Sequence, residues 1–493
     1  MNTISNHSKT FVLSPKLILN RTFIVIAIAS LFLLALIAGY LAANGLSFVT
    51  FAIGAILLGT LIIHSCLFNP LQGSYLLMFI GFFTAYPGRL LNKSLPLSTF
   101  VEVLVLFLFI GTYWNAKKDE NQKGNLMKYP VTVLIIMYVF YYAIEAFNPN
   151  VDNIIGWLFA SKRFTVQILF YVIAYRLFNT PQRFKDFLKF WIVMAFIAAL
   201  YGCYQQWFGL FQFELNSIDE HEMKLLFQGG AIRKFSFLEG VGTFGSLCGG
   251  MAVITIIFAI NEKVKRKKYK LFFVFFILFL GMSYSGTRTT TVMLPVGIAL
   301  YILMTLKNKA TIMTMFITFF AVLFVMFAPI DNPTLNRMRS TFDSKDESLN
   351  VRSINRKSIQ PYIYAHPIGG GVATSGVDGM RFYPTHRLAG FPPDSGLLML
   401  ALDMGWVGLI VSILPFLMFL YQGIHYYYRI KNKEYKKYIV AITCSIFAIV
   451  VTMYAQVSIG NMPTVFFIFG VMSMFKRLME VDEKERGLIF DKS

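Results

Sequence analysis

The chain has 493 residues, of which 56% are hydrophobic and 14% charged, and its formal net charge is +20 at pH 7. So apolar a composition excludes an ordinary water-soluble multidomain protein and indicates a lipid bilayer as the solvent. The basic residues form short clusters between apolar runs, which is typical of cytoplasmic loops, so the charge does not predict nucleic-acid binding.

Hydropathy predicts an all-α polytopic membrane protein that forms a single integral membrane domain over residues 1–493. A hydrocarbon core of about 30 Å requires roughly 20 apolar residues per helix, so we expect about 12 to 14 transmembrane helices, the lower number if two short runs are re-entrant. The first run is too long for a signal-peptide core and is interpreted as a retained span. The candidate spans are 22–43, 46–67, 71–86, 97–114, 130–147, 163–178, 187–208, 241–260, 271–286, 289–306, 310–328, 396–421, 438–457 and 463–476.

The distribution of Lys and Arg predicts the orientation of these spans. Short cytoplasmic loops carry an excess of basic residues, which places the clusters at 263–270 and 429–437 and both termini in the cytoplasm. Three polar segments then face outward: a smaller loop at 209–240, a turn at 285–288 and a large loop at 329–395. We therefore expect a site where these three segments converge.

The cysteines do not predict a cross-linked or metal-binding protein. Cys66, Cys203, Cys248 and Cys444 lie within or at the edges of apolar runs and show no paired spacing, so we expect small buried side chains. Zinc-type spacing, a P-loop and a G-x-G-x-x-G turn in a supporting context are also missing from the sequence. If the protein is an enzyme, it is expected to use arginines and one base without a metal or nucleotide.

Arginines in the outward segments are the candidate anion-binding groups. Arg288 is a lone charge between two apolar spans in GMSYSGTRTTTVMLP, and Arg233 lies in GGAIRKFSFLEG ahead of the eighth span. Arg352 and Arg356 are four residues apart and share one face if their segment is helical. Planar guanidinium groups suit bidentate contacts to phosphate oxygens. The alternatives are arginines that extend to lipid headgroups and an ordinary solvated basic face.

The large loop also holds the candidate proton acceptors, His386 and Asp394. An imidazole needs little change in pKa to act as a base at neutral pH, whereas an aspartate needs surroundings that raise its pKa. A surface role is the alternative for His386, and His366 is expected to be structural because Pro367 follows it. The run 369–371, all glycine, is either an anion-binding nest or a plain turn.

The order of these motifs resembles the O-antigen ligase and O-antigen polymerase superfamily of bacterial envelope glycosyltransferases. SYSGTR at an outward hairpin is followed by two spans, then by a loop with an arginine and HPIGGG, then by a span that begins DSGLLMLALDMGWVG. Gly405 and Gly408 match a glycine pair of the family, and the resemblance covers 229–410. The family's histidine position, ahead of that glycine pair, holds Asp394 here, and His386 lies eight residues earlier.

The resemblance implies transfer of a glycan from an undecaprenyl-pyrophosphate carrier to an acceptor sugar at the periplasmic face of the bacterial inner membrane. It implies inversion at the anomeric carbon without a metal or other cofactor. The acceptor is a growing glycan in a polymerase or the lipid A core in a ligase, and the residues leave this choice open. By resemblance Arg233, Arg288 and Arg352, with Arg356 as a weaker fourth, bind the pyrophosphate, and His386 or Asp394 is the general base.

Two other functions fit many spans with arginines near the membrane. A transporter or flippase for a lipid-linked or anionic substrate is the main alternative, although such proteins more often show inverted repeats and broken helices, and the sequence has no clear internal repeat. A structural protein of the envelope is the third interpretation. Besides the glycan substrates, membrane lipids are the expected partners, and nucleic acid is not.

Overall fold

A computed structural model of the protein describes residues 47–92, 97–115, 126–228, 230–306, 347–457 and 459–487, together with 311–313, 315–316, 320, 323–324, 327, 329 and 333–339. The first predicted span, 22–43, and about half of the eleventh, 310–328, lie outside the described residues. The chain divides into two compact units, Met1–Ser65 and Cys66–Ser493, and every site discussed below lies in the second.

The described residues are predominantly α-helical, which confirms the prediction of an all-α polytopic membrane protein. Regular strand among them is limited to one ribbon, in which β1 (Phe227–Gln228) pairs with β2 (Ala231–Ile232). The helices are α1 (Ser47–Phe68), α2 (Pro70–Phe82), α3 (Tyr86–Leu91), α4 (Leu97–Trp114), α5 (Pro130–Ile144), α6 (Ile155–Leu177), α7 (Pro181–Phe208), α8 (Gln212–Asn216), α9 (Glu220–Leu226), α10 (Val241–Asn261), α11 (Lys265–Tyr284), α12 (Arg288–Thr305), α13 (Pro333–Arg339), α14 (Glu347–Ala365), α15 (Gly376–Phe382), α16 (Gly396–Arg429), α17 (Lys433–Thr452) and α18 (Thr464–Glu485).

Seven of the described helices are long and apolar enough to cross a membrane: α4, α5 with the 3₁₀ turn that follows it, α7, α10, α12, α16 and α17. Helices α6, α11 and α18 are of similar length but carry charged residues near one end or in the interior. Several helices extend beyond their predicted spans, since α6 begins at Ile155 rather than 163 and α18 ends at Glu485 rather than 476. Hydropathy detects the apolar part of a helix, whereas backbone hydrogen bonding continues into the polar part.

Helix α10 lies at the centre of the bundle and packs against α7, α11, α12 and α17. Its most apolar 18-residue window is 94% buried, as expected for a helix that is apolar on all sides. Small residues permit this close packing. A Cβ on Gly249 would lie 2.8 Å from the Met293 sulphur of α12, and one on Gly250 would lie 3.2 Å from the Ser445 hydroxyl of α17.

The described cysteines are all buried and unpaired, as predicted. Their side chains fill space between helices in the way that small hydrophobic residues do.

The connections between helices form two groups at opposite ends of the bundle. At one end, which we call the site face, the described residues of 209–240, 285–287, 347–395 and 453–463 are joined by contacts; Arg233 Nε donates to the Ser285 carbonyl at 3.1 Å, and Arg356 Nη2 donates to the Tyr454 carbonyl at 2.7 Å. At the opposite face, the Asn432 backbone N–H donates to Asp482 Oδ1 at 3.0 Å. The three segments predicted to share one side of the membrane therefore meet at one face.

Candidate functional site

Arg233 is fixed against the α11–α12 hairpin. The ribbon of β1 and β2 ends just before it, and the backbone N–H of Lys234 donates to the Tyr284 carbonyl at 3.0 Å, which docks this segment on the end of α11. Arg233 Nε donates to the Ser285 carbonyl at 3.1 Å, and Nη2 donates to Thr287 Oγ1 at 2.7 Å. A Cβ on Gly286, whose φ is +58°, would lie 2.9 Å from Arg233 Cγ. The glycine of SYSGTR thus leaves room for this arginine.

Arg288 is the first residue of α12, directly after the threonine that Arg233 contacts. Thr290 Oγ1 donates to the Thr287 carbonyl at 2.7 Å, and this bond stabilises the turn. Thr289 Oγ1 donates to Gln456 Oε1 at 2.6 Å. The N-terminus of a helix has a partial positive charge, which adds to that of the two guanidinium groups. Arg233 and the N-terminus of α12, where Arg288 lies, are thus adjacent at the site face.

Gln456 joins three helices at this face. It accepts the hydrogen bond from Thr289 of α12, and its Nε2 donates to Ser246 Oγ of α10 at 3.1 Å. Its backbone carbonyl accepts the N–H of Gly396, the first residue of α16, at 3.2 Å. Hydropathy placed Gln456 inside the span 438–457, although α17 ends at Thr452. An amide in an apparent span was a signal for this residue, because polar groups there are costly and often functional.

Arg352 and Arg356 lie one turn apart on α14, so the predicted helical segment is present. Arg356 donates to the Tyr454 carbonyl, and its guanidinium lies 4.5 Å from the centre of the Tyr454 ring. Tyr454 precedes Gln456 by two residues, which connects α14 to the N-terminus of α12. We call Arg233, Arg288, Arg352 and Arg356 the arginine strip. Arg233 donates to Thr287, the residue before Arg288. Arg356 is connected to the same turn through Tyr454, to which it donates, and Gln456, which accepts from Thr289. The position of Arg352 follows only from its place on α14, one turn before Arg356.

The glycine run is a turn and not an anion-binding nest. The N–H of Gly369 donates to the His366 carbonyl at 2.9 Å, and the N–H groups of Gly370 and Gly371 donate to the carbonyls of Leu402 and Asp403, both at 2.8 Å. All three donors of the run are thus engaged by the protein. The anion-nest alternative is wrong, because these N–H groups have no capacity left for a phosphate.

The turn docks into a break in α16 at Gly405, where φ is +68°. A Cβ at this position would collide with the Pro367 carbonyl, and that carbonyl accepts the Val407 N–H at 3.2 Å. Next to the break, Tyr141 Oη donates to the Met404 carbonyl at 2.8 Å. Glycine is required here because of both the left-handed backbone and the close approach.

Asp403 reinforces the docked turn. Its carboxylate is buried and accepts the backbone N–H groups of Ala373 at 3.2 Å and Ser375 at 3.1 Å. Buried polar groups are stable where such hydrogen bonds satisfy them, so Asp403 is a structural residue. Its position in the apolar sequence of α16 gave no indication of partners about 30 residues earlier in the loop.

His386 lies against the glycine turn, where a Cβ on Gly370 would be 2.7 Å from its Cε1. The backbone N–H of Leu388 donates to His386 Nδ1 at 3.1 Å, so the neutral ring carries its proton on Nε2. Burial lowers the pKa of His386, Asp152 opposes this change and His366 adds to it. The ring is therefore neutral at pH 7 and presents Nε2–H as a hydrogen-bond donor.

His366 has a structural role, as predicted. It stacks on the Tyr362 ring with 4.0 Å between ring centres, and its Nδ1 lies 2.8 Å from the Tyr362 carbonyl. These contacts fix the start of the glycine turn.

Asp394 lies at the start of α16, next to Ser395, whose hydroxyl caps the helix by accepting the Leu398 N–H at 3.1 Å. Its Oδ2 is buried and has no hydrogen-bond partner among the residues that the structure describes. Asp394 precedes Gly396 by two residues, and Gly396 is hydrogen-bonded to Gln456. Of the two predicted proton acceptors, Asp394 is therefore the one connected to the arginine strip and the one with an unused acceptor atom.

Comparison with known proteins agrees with the resemblance seen in the motifs. A family model described as O-Antigen ligase matches residues 273–413, which run from α11 through the hairpin and the large loop into α16. The match supports the O-antigen ligase and polymerase superfamily, and the recognition is confirmed. Arg233 lies ahead of the matched residues, and the other predicted site residues lie within them. A search of curated proteins finds no match.

Proposed function

Because residues 273–413 are similar to the O-antigen ligase family, we propose that this multi-pass membrane protein transfers a glycan from an undecaprenyl-pyrophosphate donor to an acceptor sugar. The family match indicates glycosyl transfer in envelope polysaccharide synthesis. We further propose that the donor is lipid-linked, that the reaction takes place at the periplasmic side of the inner membrane, and that both termini are cytoplasmic. The contact of Arg233 with Thr287, beside Arg288, is the observation that carries it.

The arginine strip suits a diphosphate that a lipid holds at the membrane surface. The Ser285 carbonyl and Thr287 hydroxyl orient the Arg233 guanidinium, and both of these partners are neutral. Arg356 is likewise held by a carbonyl and an aromatic ring. Guanidinium groups fixed in this way are preorganised for phosphate oxygens and need little rearrangement when charge develops.

The proposed reaction is a single displacement at the anomeric carbon. The acceptor hydroxyl oxygen forms the new bond to that carbon, the bond from the carbon to the phosphate oxygen breaks, and undecaprenyl pyrophosphate leaves with the bonding electrons. Arginines stabilise the charge that accumulates on the leaving group. The hydroxyl proton passes to a carboxylate or imidazole base. Inversion without a metal is what the resemblance implies.

Asp394 is the better candidate for the base. Its Oδ2 lacks a partner among the described residues, whereas Nδ1 of His386 already accepts a hydrogen bond and its Nε2 carries a proton. We assign His386 the role of hydrogen-bond donor to a substrate oxygen, which needs no change of tautomer.

The test is transfer in cells that produce Arg288→Ala or Arg352→Ala in place of the native protein. We expect surface glycan on a gel ladder to fall by about 100-fold or more for Arg288→Ala, because removal of one preorganised donor typically costs 10²- to 10³-fold. Arg387→Ala is a matched control, since this arginine lies over the Tyr362 ring outside the strip. A normal ladder in both Arg288→Ala and Arg352→Ala, with each protein in the membrane, would contradict the proposal.

The same cells distinguish polymerase from ligase. A null strain that carries single repeats on the lipid A core lacks a polymerase, and one that accumulates long chains on the lipid carrier lacks a ligase.

A further inference from the structure

A cavity of about 250 Å³ lies at the site face. Five separate segments line it: the turn after α2, the start of α4, the N-terminal half of α6, the residues before α10 and the segment that leads into α18. Its polar side chains are Thr84, Ser98, Glu102, Arg163, Glu239 and Asn461. The proposed donor site uses none of these residues.

The lining combines hydrogen-bond donors and acceptors of several kinds. Carboxylates accept, a guanidinium donates, and amide and hydroxyl groups do both. Oε2 of Glu102 is buried and has no hydrogen-bond partner within the described part of the chain. A buried polar atom left without a partner is costly, so a ligand hydroxyl that donates to this oxygen would be favoured. The two carboxylates, Glu102 and Glu239, disfavour a phosphate or an anionic headgroup in the same space.

The position of the cavity relates it to the donor site. Glu239 precedes Val241 by two residues, and the Val241 carbonyl accepts a hydrogen bond from Thr287 Oγ1 at 3.4 Å. Asn461 follows Gln456 by five residues, and Gln456 is bonded to Thr289. These two contacts connect the N-terminus of α12, where Arg288 lies, to the chain segments that carry Glu239 and Asn461.

We propose that this cavity binds one hydroxyl-rich sugar ring of the acceptor glycan, and this inference rests on the proposed function. Its volume is below the lower limit of about 300 Å³ for pockets that take drug-sized ligands, which suits a single ring better than a longer chain. Val166 and Val465 supply apolar wall for the faces of the ring, while the polar groups contact its hydroxyls. Glu102 is the central contact in this arrangement.

Protection of an introduced thiol tests binding without requiring transfer. The four native cysteines are buried, so Ser98→Cys in the full chain adds an accessible thiol at the rim of the cavity. Oligosaccharide released by mild acid from the host's surface polysaccharide should slow maleimide labelling at position 98 at least fivefold. Ser358→Cys, at another exposed serine of the same face, is the matched control and should show no protection. Glu102→Gln added to Ser98→Cys should abolish the protection, whereas Glu220→Gln should preserve it.

Equal labelling at position 98 with and without oligosaccharide would overturn the inference. So would equal protection at both positions, or protection that survives Glu102→Gln. The proposed function is tested separately, by the binding of undecaprenyl pyrophosphate to the purified protein. If that binding does not depend on Arg288, the proposed function fails, whatever the labelling at position 98 shows. That lipid alone should change labelling at position 98 less than twofold.

Discussion

The two faces of the helix bundle hold their charged residues in different ways. At the opposite face Lys185 pairs with Glu434 and Arg486 pairs with Asp482, each at 2.9 Å, so cation and anion compensate each other within the protein. At the site face Arg89 donates to the carbonyls of Leu238 and Glu239 at 2.6 and 2.7 Å. Arg356 is bound similarly by a carbonyl and a ring.

This difference separates positive charge that stabilises the protein from positive charge that remains for a ligand. A carbonyl or a ring orients a guanidinium and leaves its full charge, whereas a carboxylate neutralises it. Lys185 and Arg486 therefore need no ligand to account for them. Of the arginine strip, Arg233 and Arg356 make their described contacts with carbonyls, a hydroxyl and a ring, and these contacts do not offset a positive charge.

The largest effect is expected where the large loop docks at the site face. Gly405→Ala places a Cβ against the Pro367 carbonyl at φ +68°, and we expect a loss of about 3 kcal/mol or more from overpacking and the left-handed backbone together. Little folded protein should be recovered from membranes by size-exclusion chromatography. Gly209→Ala is the matched control, since its φ is +89° but nothing lies within 4 Å of the added atom. Similar yields for both variants would show that the docking contact is unimportant.

An intermediate effect is expected from Asp394, whose Oδ2 has no hydrogen-bond partner among the described residues. Asp394→Asn keeps the shape of the side chain and removes its basicity, so we expect kcat to fall about 100-fold or more, within the 10²- to 10⁴-fold range of acid–base catalysis. His386→Gln keeps a hydrogen-bond donor and should lose about tenfold or less. Binding of undecaprenyl pyrophosphate should stay within twofold in both. A larger loss in His386→Gln than in Asp394→Asn would reverse the two assignments.

The smallest effect is expected at the opposite face. Lys185→Ala removes an ion pair whose side chains are both partly exposed, and such pairs contribute about 0 to 1 kcal/mol. Thermal unfolding in detergent should shift by a few degrees at most, and the glycan ladder should be unchanged. Loss of transfer in this variant would contradict the conclusion that only the site face takes part in the reaction.

The features that could be predicted from the sequence are those that depend on residues close together in the chain. Helices and the grouping of their connections follow from apolar runs and basic clusters, which are local signals. Arg233 and Arg288 were recognisable because each is a charge beside an apolar span. The amide of Gln456 within an apparent span was a signal, but its partner Thr289 was not predictable, and neither was the bond of Asp403 to Ser375, since both depend on residues elsewhere in the chain. The glycine run stayed ambiguous until the Leu402 and Asp403 carbonyls were placed beside it, and the cavity required five segments to converge.

The break in α16 has a consequence for how the large loop can be studied. The carbonyls that hold the glycine turn, and the space that admits Pro367, belong to residues 402–405 of an apolar helix. The conformation of the glycine turn therefore depends on hydrogen bonds to α16. A peptide covering 329–395 alone would lack these partners. Antibodies or ligands selected against such an isolated fragment would meet a different conformational ensemble from the one that the intact protein displays.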